Sequence, residues 1–342
     1  MIHGGDIYHN KVNIDFSVSV NPLPVPDNVT DALKDCIGEI GRYPDIECSE
    51  LSEKVSCKLG VKKENLVFSN GSSEIFMAIA HALRARKVLI PVPSFYGYEY
   101  AFSGNCEEML FYPMKEEDGF KLTDEILGYI TSEFDALVIA NPNNPTGAII
   151  EEALLSKILN KCLNENVRVI IDECFIEFAD EKRSMIGKIN DHENLCIIRS
   201  FTKIYAIPNV RLGDMICSDL KFAKEVRKHL PEWNVSGFAQ AAGKECLECD
   251  EYVRKSVEYI RGEKEFLENE FAKLKIKTFP SDCNYILICS ELPLPDMLLE
   301  KGIMIRNCDN FRGLNKDYYR FAVKSHEDNL KLADCLGRIV KR

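Results

Sequence analysis

Residues 195–203 read Leu-Cys-Ile-Ile-Arg-Ser-Phe-Thr-Lys, an apolar run that ends in hydroxyl side chains and a lysine. The continuous apolar character is typical of a strand that is buried on both faces. A lysine that directly follows such a strand is desolvated, which lowers its pKa and makes Lys203 a candidate for Schiff-base chemistry. Ser200 and Thr202 can donate to a phosphate, and Arg211 can pair with the same anion through two parallel hydrogen bonds.

Short apolar runs of the same kind recur along the chain on both sides of this stretch. Segments with helical periodicity separate them, at residues 73–85 and 151–163. This alternation predicts an α/β protein with a mainly parallel central sheet sandwiched by helices. Ligands of such sheets bind at the carboxyl ends of the strands. The predicted strands are residues 65–70, 87–92, 136–141, 167–173, 195–200 and 214–218.

The pattern changes after Gly237, where a long charged helical region is followed by short strands and a final amphipathic helix. This arrangement predicts a smaller α+β domain. We expect the large domain to span residues 40–236. The small domain is expected to combine the N-terminal segment, residues 1–39, with the C-terminal part, residues 237–342.

The charge balance and the cysteine usage exclude several classes of protein. The 342 residues include 43 basic and 54 acidic side chains, a formal net charge of −11, so neither nucleic acid nor a membrane is expected as a partner. No apolar run is long enough to cross a bilayer, and the chain starts without a secretory signal pattern. The 14 scattered cysteines indicate reduced thiols in a cytoplasmic protein, and no metal site is expected.

Three further polar clusters follow predicted strands. Asp172 ends one of them, where a carboxylate is commonly a helix cap but can also hold the protonated nitrogen of a pyridine ring. Residues 141–147, Asn-Pro-Asn-Asn-Pro-Thr-Gly, are typical of a turn, and Asn144 within it could donate to a phenolic oxygen. The turn at residues 69–74, Ser-Asn-Gly-Ser-Ser-Glu, can serve as a plain N-cap or as a phosphate cradle of backbone N–H groups.

In this order along the chain, the four clusters resemble the class I/II aminotransferase family of fold type I, whose members use pyridoxal 5′-phosphate (PLP). The resemblance covers essentially the whole chain and implies PLP as the cofactor. It implies that Lys203 carries PLP as a Schiff base, that Asp172 pairs with the pyridine nitrogen and that Asn144 binds the phenolic oxygen. The implied phosphate ligands are Gly71, Ser72, Ser73, Ser200, Thr202 and Arg211.

The resemblance also assigns two aromatic residues. Tyr98 matches the aromatic side chain that stacks on the PLP ring, with a core position as the alternative reading and Phe95 as the other candidate for stacking. Tyr43 matches a tyrosine that reaches from one subunit into the active site of its partner. This match implies a homodimer with two shared active sites.

Several stretches resemble the threonine-phosphate decarboxylase branch of the family, which belongs to cobalamin biosynthesis and is next to the histidinol-phosphate aminotransferases. They are the start of the chain, the segment around Lys203, and residues 305–325. Phe175 stands where the aminotransferases usually carry a tyrosine that contacts the phenolic oxygen of PLP. A phenylalanine cannot make that hydrogen bond, which departs from the aminotransferase pattern and agrees with the decarboxylases.

The branch implies a small phosphorylated amino acid as substrate. Arg320 matches the arginine that binds the substrate carboxylate, Arg306 and His3 match positions that meet its phosphate, and Asn21 is a further candidate for the carboxylate. The implied reaction converts L-threonine O-3-phosphate to 1-amino-2-propanol phosphate. Alternatives are histidinol-phosphate transamination, decarboxylation of O-phosphoserine and, more remotely, a non-catalytic regulator that reuses the fold.

Overall fold

A computed structural model of the chain describes residues 4–340. The strands within this part are β1 (Ile14–Asp15), β2 (Leu66–Ser69), β3 (Lys87–Val92), β4 (Glu108–Pro113), β5 (Ala136–Ala140), β6 (Arg168–Asp172), β7 (Leu195–Ser200), β8 (Gly213–Cys217), β9 (Lys277–Thr278), β10 (Tyr285–Cys289), β11 (Ile303–Met304), β12 (Arg306–Asn307) and β13 (Tyr318–Ala322).

The α-helices within the same part are α1 (Asp27–Asp35), α2 (Ser49–Leu59), α3 (Ser72–Leu83), α4 (Tyr96–Phe102), α5 (Glu152–Asn164), α6 (Ile176–Ala179), α7 (Phe201–Ile204), α8 (Leu220–Lys228), α9 (Gly237–Cys246), α10 (Asp250–Lys273), α11 (Leu294–Leu299) and α12 (His326–Val340). None of these helices is both long enough and apolar enough to cross a membrane.

The large sheet has seven strands in the order β2-β8-β7-β6-β5-β3-β4. All neighbours from β7 to β4 pair in parallel, and β8 runs antiparallel to both β2 and β7. The mainly parallel α/β sheet predicted from the alternating runs is therefore confirmed, with every predicted strand present. The sequence pattern missed the edge strand β4, because most of its side chains are only partly buried and its apolar signal is weak.

The C-terminal part forms a four-stranded antiparallel sheet in the order β12-β13-β10-β9. The N-terminal segment joins it, since β1 pairs in parallel with β11 and the backbone N–H of Ala322 donates to the carbonyl of Phe16 at 2.9 Å. These contacts agree with a small α+β unit that includes both ends of the chain. The exact domain limits, residues 40 and 236, stay a prediction.

Candidate active site

The carboxyl ends of five strands of the large sheet converge on one cavity of about 640 Å³. Parallel neighbours end at the same edge of a sheet, so polar residues that follow β5, β6 and β7 are brought together although they are far apart in sequence. The predicted residues that line this cavity are Ser72, Ser73, Tyr98, Asn144, Asp172, Ser200, Thr202, Lys203, Arg211, Arg306 and Arg320.

Lys203 lies in the single turn of α7 that follows β7, and its ammonium group donates to the Thr202 hydroxyl at 3.1 Å. Burial lowers the pKa of Lys203, and the positive charges of Arg211 and Arg320 add to this effect, against the opposing charges of Cys174 and Asp172. A lysine with a lowered pKa has more of the neutral amine that attacks a carbonyl group.

Asp172, the last residue of β6, holds a carboxylate in the wall of the cavity. Its Oδ2 accepts a hydrogen bond from the Tyr98 hydroxyl at 2.5 Å, and its Oδ1 accepts one from the backbone N–H of Cys174 at 2.9 Å. Asp172 was the carboxylate predicted from the sequence, and the adjacent Glu173 does not line the cavity. Glu173 points into the core, where Ser184 and the N–H of Met185 donate to it.

Tyr98 and Phe95 differ in what they offer a planar ligand. Tyr98 is fully buried at the start of α4 and its hydroxyl is bonded to Asp172, while Phe95 is half-buried in the same cavity wall. The Tyr98 ring packs edge-on against Phe95 with centroids 5.6 Å apart. Stacking of Tyr98 on the PLP ring stays a prediction. The contact that the structure gives Tyr98 is with the carboxylate, and this favours Phe95 as the stacking residue.

The phosphate cradle was predicted at the start of α3, and its shape depends on Gly71. Gly71 precedes α3 with φ +80°, and a Cβ atom added to it would lie 2.3 Å from Nη2 of Arg211. The guanidinium group of Arg211 thus occupies the space that any other residue at position 71 would need. The N-cap residue Gly71 has no side chain with which to cap α3, and Ser72 and Ser73 in the first turn of the helix line the cavity.

The hydroxyls of Ser200 and Thr202 complete the cradle. Their oxygen atoms are 2.7 Å apart, both residues are buried, and both line the cavity together with Ser72, Ser73 and Arg211. Helix N–H groups, four hydroxyls and a guanidinium form the kind of donor set that binds a phosphate dianion. The residues at the sheet edge therefore fit PLP, with an amine, a carboxylate and a phosphate cradle around one cavity.

Two buried arginines face this cavity from the antiparallel sheet. Arg306 and Arg320 are direct partners in the pairing of β12 with β13. Arg320 donates to Asn144 Oδ1 at 2.5 Å and to the carbonyl of Ser17 at 2.9 Å, which are neutral acceptors. Its buried Nε has no hydrogen-bond partner within residues 4–340. Burial, together with the charge of Arg320, lowers the pKa of Arg306, so this wall of the cavity favours an anion.

Phe175 lines the cavity beyond Asp172 and packs edge-on against Tyr285, with ring centroids 5.2 Å apart. The Tyr285 hydroxyl donates to the carbonyl of Asn143 at 2.9 Å and so anchors the loop that presents Asn144. Phe175 has no polar atom to offer the phenolic oxygen of PLP. Asn144 therefore remains the predicted donor to that oxygen.

The structure does not bring Asn21 into the cavity, and the predicted contact with the substrate carboxylate is not supported. The Asn21 amide donates to the carbonyl of Ile204 at 2.6 Å and to the Ser256 hydroxyl at 2.7 Å, and it accepts from the N–H of Leu23. Its backbone N–H donates to the carbonyl of Lys203 at 3.0 Å. Asn21 therefore holds the turn that carries the lysine, a long-range role that its sequence context did not reveal.

Another predicted residue, Tyr43, lies outside the cavity as the chain forms it. Tyr43 is 81% exposed and packs against Trp233, with ring centroids 4.8 Å apart. An exposed tyrosine is compatible with a role in a partner subunit, and that role stays a prediction. His3 lies outside the described residues, so its predicted contact with the substrate phosphate is not tested.

Several residues of the cavity wall were not singled out from the sequence. The segment at residues 4–20 crosses the cavity and contributes the backbone and side chain of Ser17, while Phe311 packs beneath the Arg306 guanidinium at 5.1 Å. Cys174 lines the cavity beside Asp172. None of these residues belongs to a motif with a chemical signature. In the N-terminal segment, residues 3–6 and 14–23 were noted only for their resemblance to the decarboxylase branch.

The fold and the site together define the class of the protein. The family model described as Aminotransferase class I and II matches residues 11–336, and the chain belongs to this family. Enzymes of this family depend on PLP, and PLP is the cofactor that the residues at the sheet edge fit. The resemblance stated from the sequence is thus confirmed.

Individual relatives carry two different activities in their names. The chain is similar to the threonine-phosphate decarboxylase of Salmonella typhimurium, with 33% identity over 96% of this chain and 91% of the relative. It is equally similar to a histidinol-phosphate aminotransferase of Clostridium kluyveri, with 33% identity over 89% and 86% of the two chains. The crystal structure of the Clostridium acetobutylicum histidinol-phosphate aminotransferase superposes with a TM-score of 0.90, at 30% identity over 96% and 99%.

Proposed function

We propose that this PLP-dependent enzyme decarboxylates L-threonine O-3-phosphate to 1-amino-2-propanol phosphate and carbon dioxide. The observation that carries the proposal is that Arg306 and Arg320, buried partners in the pairing of β12 with β13, both line the cavity. A buried guanidinium that donates to neutral oxygens, as Arg320 does, is costly unless a ligand supplies negative charge. A small amino acid with both a carboxylate and a phosphate supplies the matching negative charges.

Each residue of the cofactor half has a role that follows from its position. Asp172, fixed by the Tyr98 hydroxyl and the N–H of Cys174, holds a proton at the pyridine nitrogen. When bound, PLP accepts the electron pair that the broken bond leaves on the α-carbon of the substrate. Lys203, whose pKa is lowered by burial, is placed to return a proton to that carbon.

The choice of reaction would depend on how residues of the substrate half orient the carboxylate on the α-carbon of the substrate. Arg320 bridges the two halves of the site, since it is bonded both to Asn144 of the large sheet and to Ser17 of the N-terminal segment. We assign to Arg320 the orientation of the carboxylate. Phe175, which cannot replace Asn144 at the phenolic oxygen, agrees with the decarboxylase rather than the aminotransferase pattern.

The experiment is incubation of the PLP-loaded protein with L-threonine O-3-phosphate and no keto acid. Sustained release of carbon dioxide, with the cofactor recovered as PLP, supports the proposal. Recovery of the cofactor as pyridoxamine phosphate, with no carbon dioxide, contradicts it. O-phosphoserine in a parallel assay tests the methyl group of the substrate, whose loss changes kcat/KM by roughly 10–200-fold in a pocket that recognises it.

The second candidate function is histidinol-phosphate transamination. It is favoured by the TM-score of 0.90 with the Clostridium acetobutylicum aminotransferase. Transamination needs a 2-oxo acid as the second substrate and space for an imidazole ring. Turnover of histidinol phosphate that depends on added 2-oxoglutarate, at a higher kcat/KM than decarboxylation of threonine phosphate, would establish this function instead.

We also propose a homodimer in which Tyr43 completes the active site of the partner subunit. The supporting observation is that Tyr43 and Trp233 are exposed, and that apolar residues near them in sequence are exposed as well, namely Ile37, Ile40, Ile46 and Phe238. Inactive Tyr43→Phe and Lys203→Ala proteins are predicted to regain part of the activity when mixed, because one of the two sites in a mixed dimer is intact. Absence of rescue, despite subunit exchange measured by mass, would contradict the shared site.

A further inference from the structure

Cys196 and Cys217 occupy directly opposite positions on the antiparallel strands β7 and β8. The backbone N–H of Ser218 donates to the carbonyl of Leu195 at 3.2 Å, so the hydrogen bonds flank the two cysteines rather than join them. Side chains at such a non-hydrogen-bonded pair approach each other most closely in an antiparallel sheet. The two Sγ atoms are 3.1 Å apart, and both residues are fully buried.

A cation distinguishes one sulfur from the other. The Arg168 guanidinium lies 3.9 Å from Sγ of Cys196, where it also pairs with Asp219 at 3.0 Å and packs over the Phe222 ring. Burial opposes ionisation of Cys196, but the hydrogen bond from Cys217 and the charge of Arg168 outweigh it and lower its pKa. The pKa of Cys217 is raised, first by its bond to Cys196 and then by burial.

The two sulfurs thus lie in contact but differ in their electrostatic environment, and neither lines the cavity of the cofactor site. We propose that Cys196 and Cys217 form an intramolecular disulfide when the protein meets a peroxide. The Cys196 thiolate attacks one peroxide oxygen and breaks the O–O bond, giving a sulfenic acid and hydroxide. The Cys217 sulfur then attacks Sγ of Cys196 and releases a second hydroxide, which takes up the Cys217 proton. Both sulfurs are oxidised, and the two peroxide oxygens leave as two molecules of water.

The position of the pair links the bond to the active site. The bridge would close the chain between β7 and β8 into a loop that contains Ser200, Thr202, Lys203 and Arg211. Closing a loop reduces the freedom of the unfolded chain, so the oxidised protein is expected to unfold at a temperature several degrees higher. The bridge would lie at the ends of β7 and β8 that are farther from the phosphate cradle. PLP binding is therefore expected to persist.

The test uses the PLP-loaded protein treated with hydrogen peroxide, quenched with catalase, alkylated under denaturing conditions and digested without reductant. The expected result is a cross-linked peptide that joins positions 196 and 217, has lost two hydrogen atoms, and is cleaved by reductant. Oxidation of the exposed Cys57 measures how much peroxide has reacted with the protein. Burial raises the pKa of Cys162 to about 12, so this cysteine is expected to remain a thiol. Recovery of Cys196 and Cys217 as free thiols at a dose that fully oxidises Cys57 overturns the proposal.

Two variants test the order of the steps. In Cys217→Ser the bridge cannot form, and a sulfenic acid at Cys196 should be trapped by dimedone, whereas Cys162→Ser should form the bridge like the wild type. Arg168→Gln should slow bridge formation by about tenfold, because fewer Cys196 side chains are ionised. A sulfenic acid trapped at Cys217 in Cys196→Ser at the wild-type rate, or an unchanged rate in Arg168→Gln, would overturn the assignment of Cys196 as the attacking sulfur.

Discussion

The two halves of the active-site cavity are built in different ways. The cofactor half consists of residues that directly follow the parallel strands β5, β6 and β7, so each lies in a short motif beside a clear strand signal. The substrate half is assembled over long distances, and the bond from Arg320 to the carbonyl of Ser17 joins residues 303 positions apart.

The charges of the two halves also differ. The cofactor half combines the cations of Lys203 and Arg211 with the carboxylate of Asp172. In the substrate half, Arg320 is bonded to neutral oxygens and lies beside a second buried arginine. The cofactor half thus contains charges of both signs, whereas Arg320 in the substrate half is a buried cation that donates to neutral oxygens. Variants in the two halves should therefore fail in different ways.

Loss of the Lys203 amine should have the largest effect. We expect Lys203→Ala to lower the turnover of threonine phosphate by about 10⁴-fold, because both the covalent link and the proton carrier are removed. The visible absorption band of bound PLP that borohydride reduces should disappear. The exposed Lys221, changed to Ala, is the control and should behave as the wild type. A reducible adduct that persists at the site in Lys203→Ala would mean that another residue carries PLP.

Removal of a guanidinium from the substrate half should come next. We expect Arg320→Met to lower kcat/KM by roughly 10²–10³-fold, since the substrate carboxylate loses a buried charge partner. PLP should stay bound, because Arg320 is not among the residues assigned to the Schiff base, the pyridine nitrogen or the phosphate.

Arg306→Met provides the matched comparison. It should strongly reduce kcat/KM for threonine phosphate, because the guanidinium of Arg306 is assigned to the substrate phosphate. Any slow reaction of unphosphorylated threonine should be unaffected. If either arginine variant loses PLP instead of substrate affinity, the division of the cavity into two halves is wrong.

A smaller effect is expected at Tyr98. Tyr98→Phe removes the hydrogen bond to Asp172 but keeps the ring, so PLP should dissociate about tenfold more readily. Equilibrium titration of the apoenzyme with PLP measures this change. Phe95→Leu is the companion variant and should shift the absorption maximum of bound PLP if Phe95 stacks on the ring. The reverse outcome, a spectral shift only on truncation of the Tyr98 ring, would restore the original assignment.

The smallest expected effect is on thermal stability, and it distinguishes the role of Glu173 from that of the adjacent Asp172. Burial raises the pKa of Glu173 to about 7, from an ordinary value of 4.5. The protonated acid therefore stabilises the fold fully below pH 4.5, and this contribution is lost as the pH rises through about 7. Glu173→Gln cannot ionise and keeps partners for Ser184 and Met185. It should match the wild type at pH 4.5 and unfold a few degrees higher at pH 8.

Thermal unfolding curves at the two pH values measure this difference. Equal shifts at both values would indicate that ionisation of Glu173 is not the cause. PLP affinity should not change at either pH, because Glu173 points away from the cavity.

The success of prediction from the sequence also differs between the cofactor half and the substrate half of the cavity. The strand pattern and the strand-end motifs were sufficient for the large sheet and for the placement of Lys203, Asp172, Asn144 and Arg211 in one cavity. Asn21 was predicted to contact the substrate carboxylate, whereas its amide is bonded to Ile204 and Ser256, contacts that depend on how α10 packs against the turn after Lys203. A local motif carries no information about such packing.

Tyr98 shows a second limit. The segment at residues 93–98 contains several aromatic residues within one turn, and which ring faces a ligand depends on the angle at which α4 leaves β3. Asp172 differs from Tyr98, because it ends a strand in which side chains alternate, so Asp172 and Glu173 point to opposite faces. The direction of a side chain could therefore be predicted where the alternation along a strand fixed it. It could not be predicted where it depended on how a helix leaves a strand.

The contact between Gly71 and Arg211 has a consequence for the tolerance of the gene to mutation. A single added methyl group at position 71 overlaps the guanidinium, and the left-handed φ angle disfavours every other amino acid as well. A saturation library at this codon, selected for growth that requires the enzyme, should return glycine almost exclusively. The neighbouring exposed codon for Asn70 should accept many substitutions under the same selection.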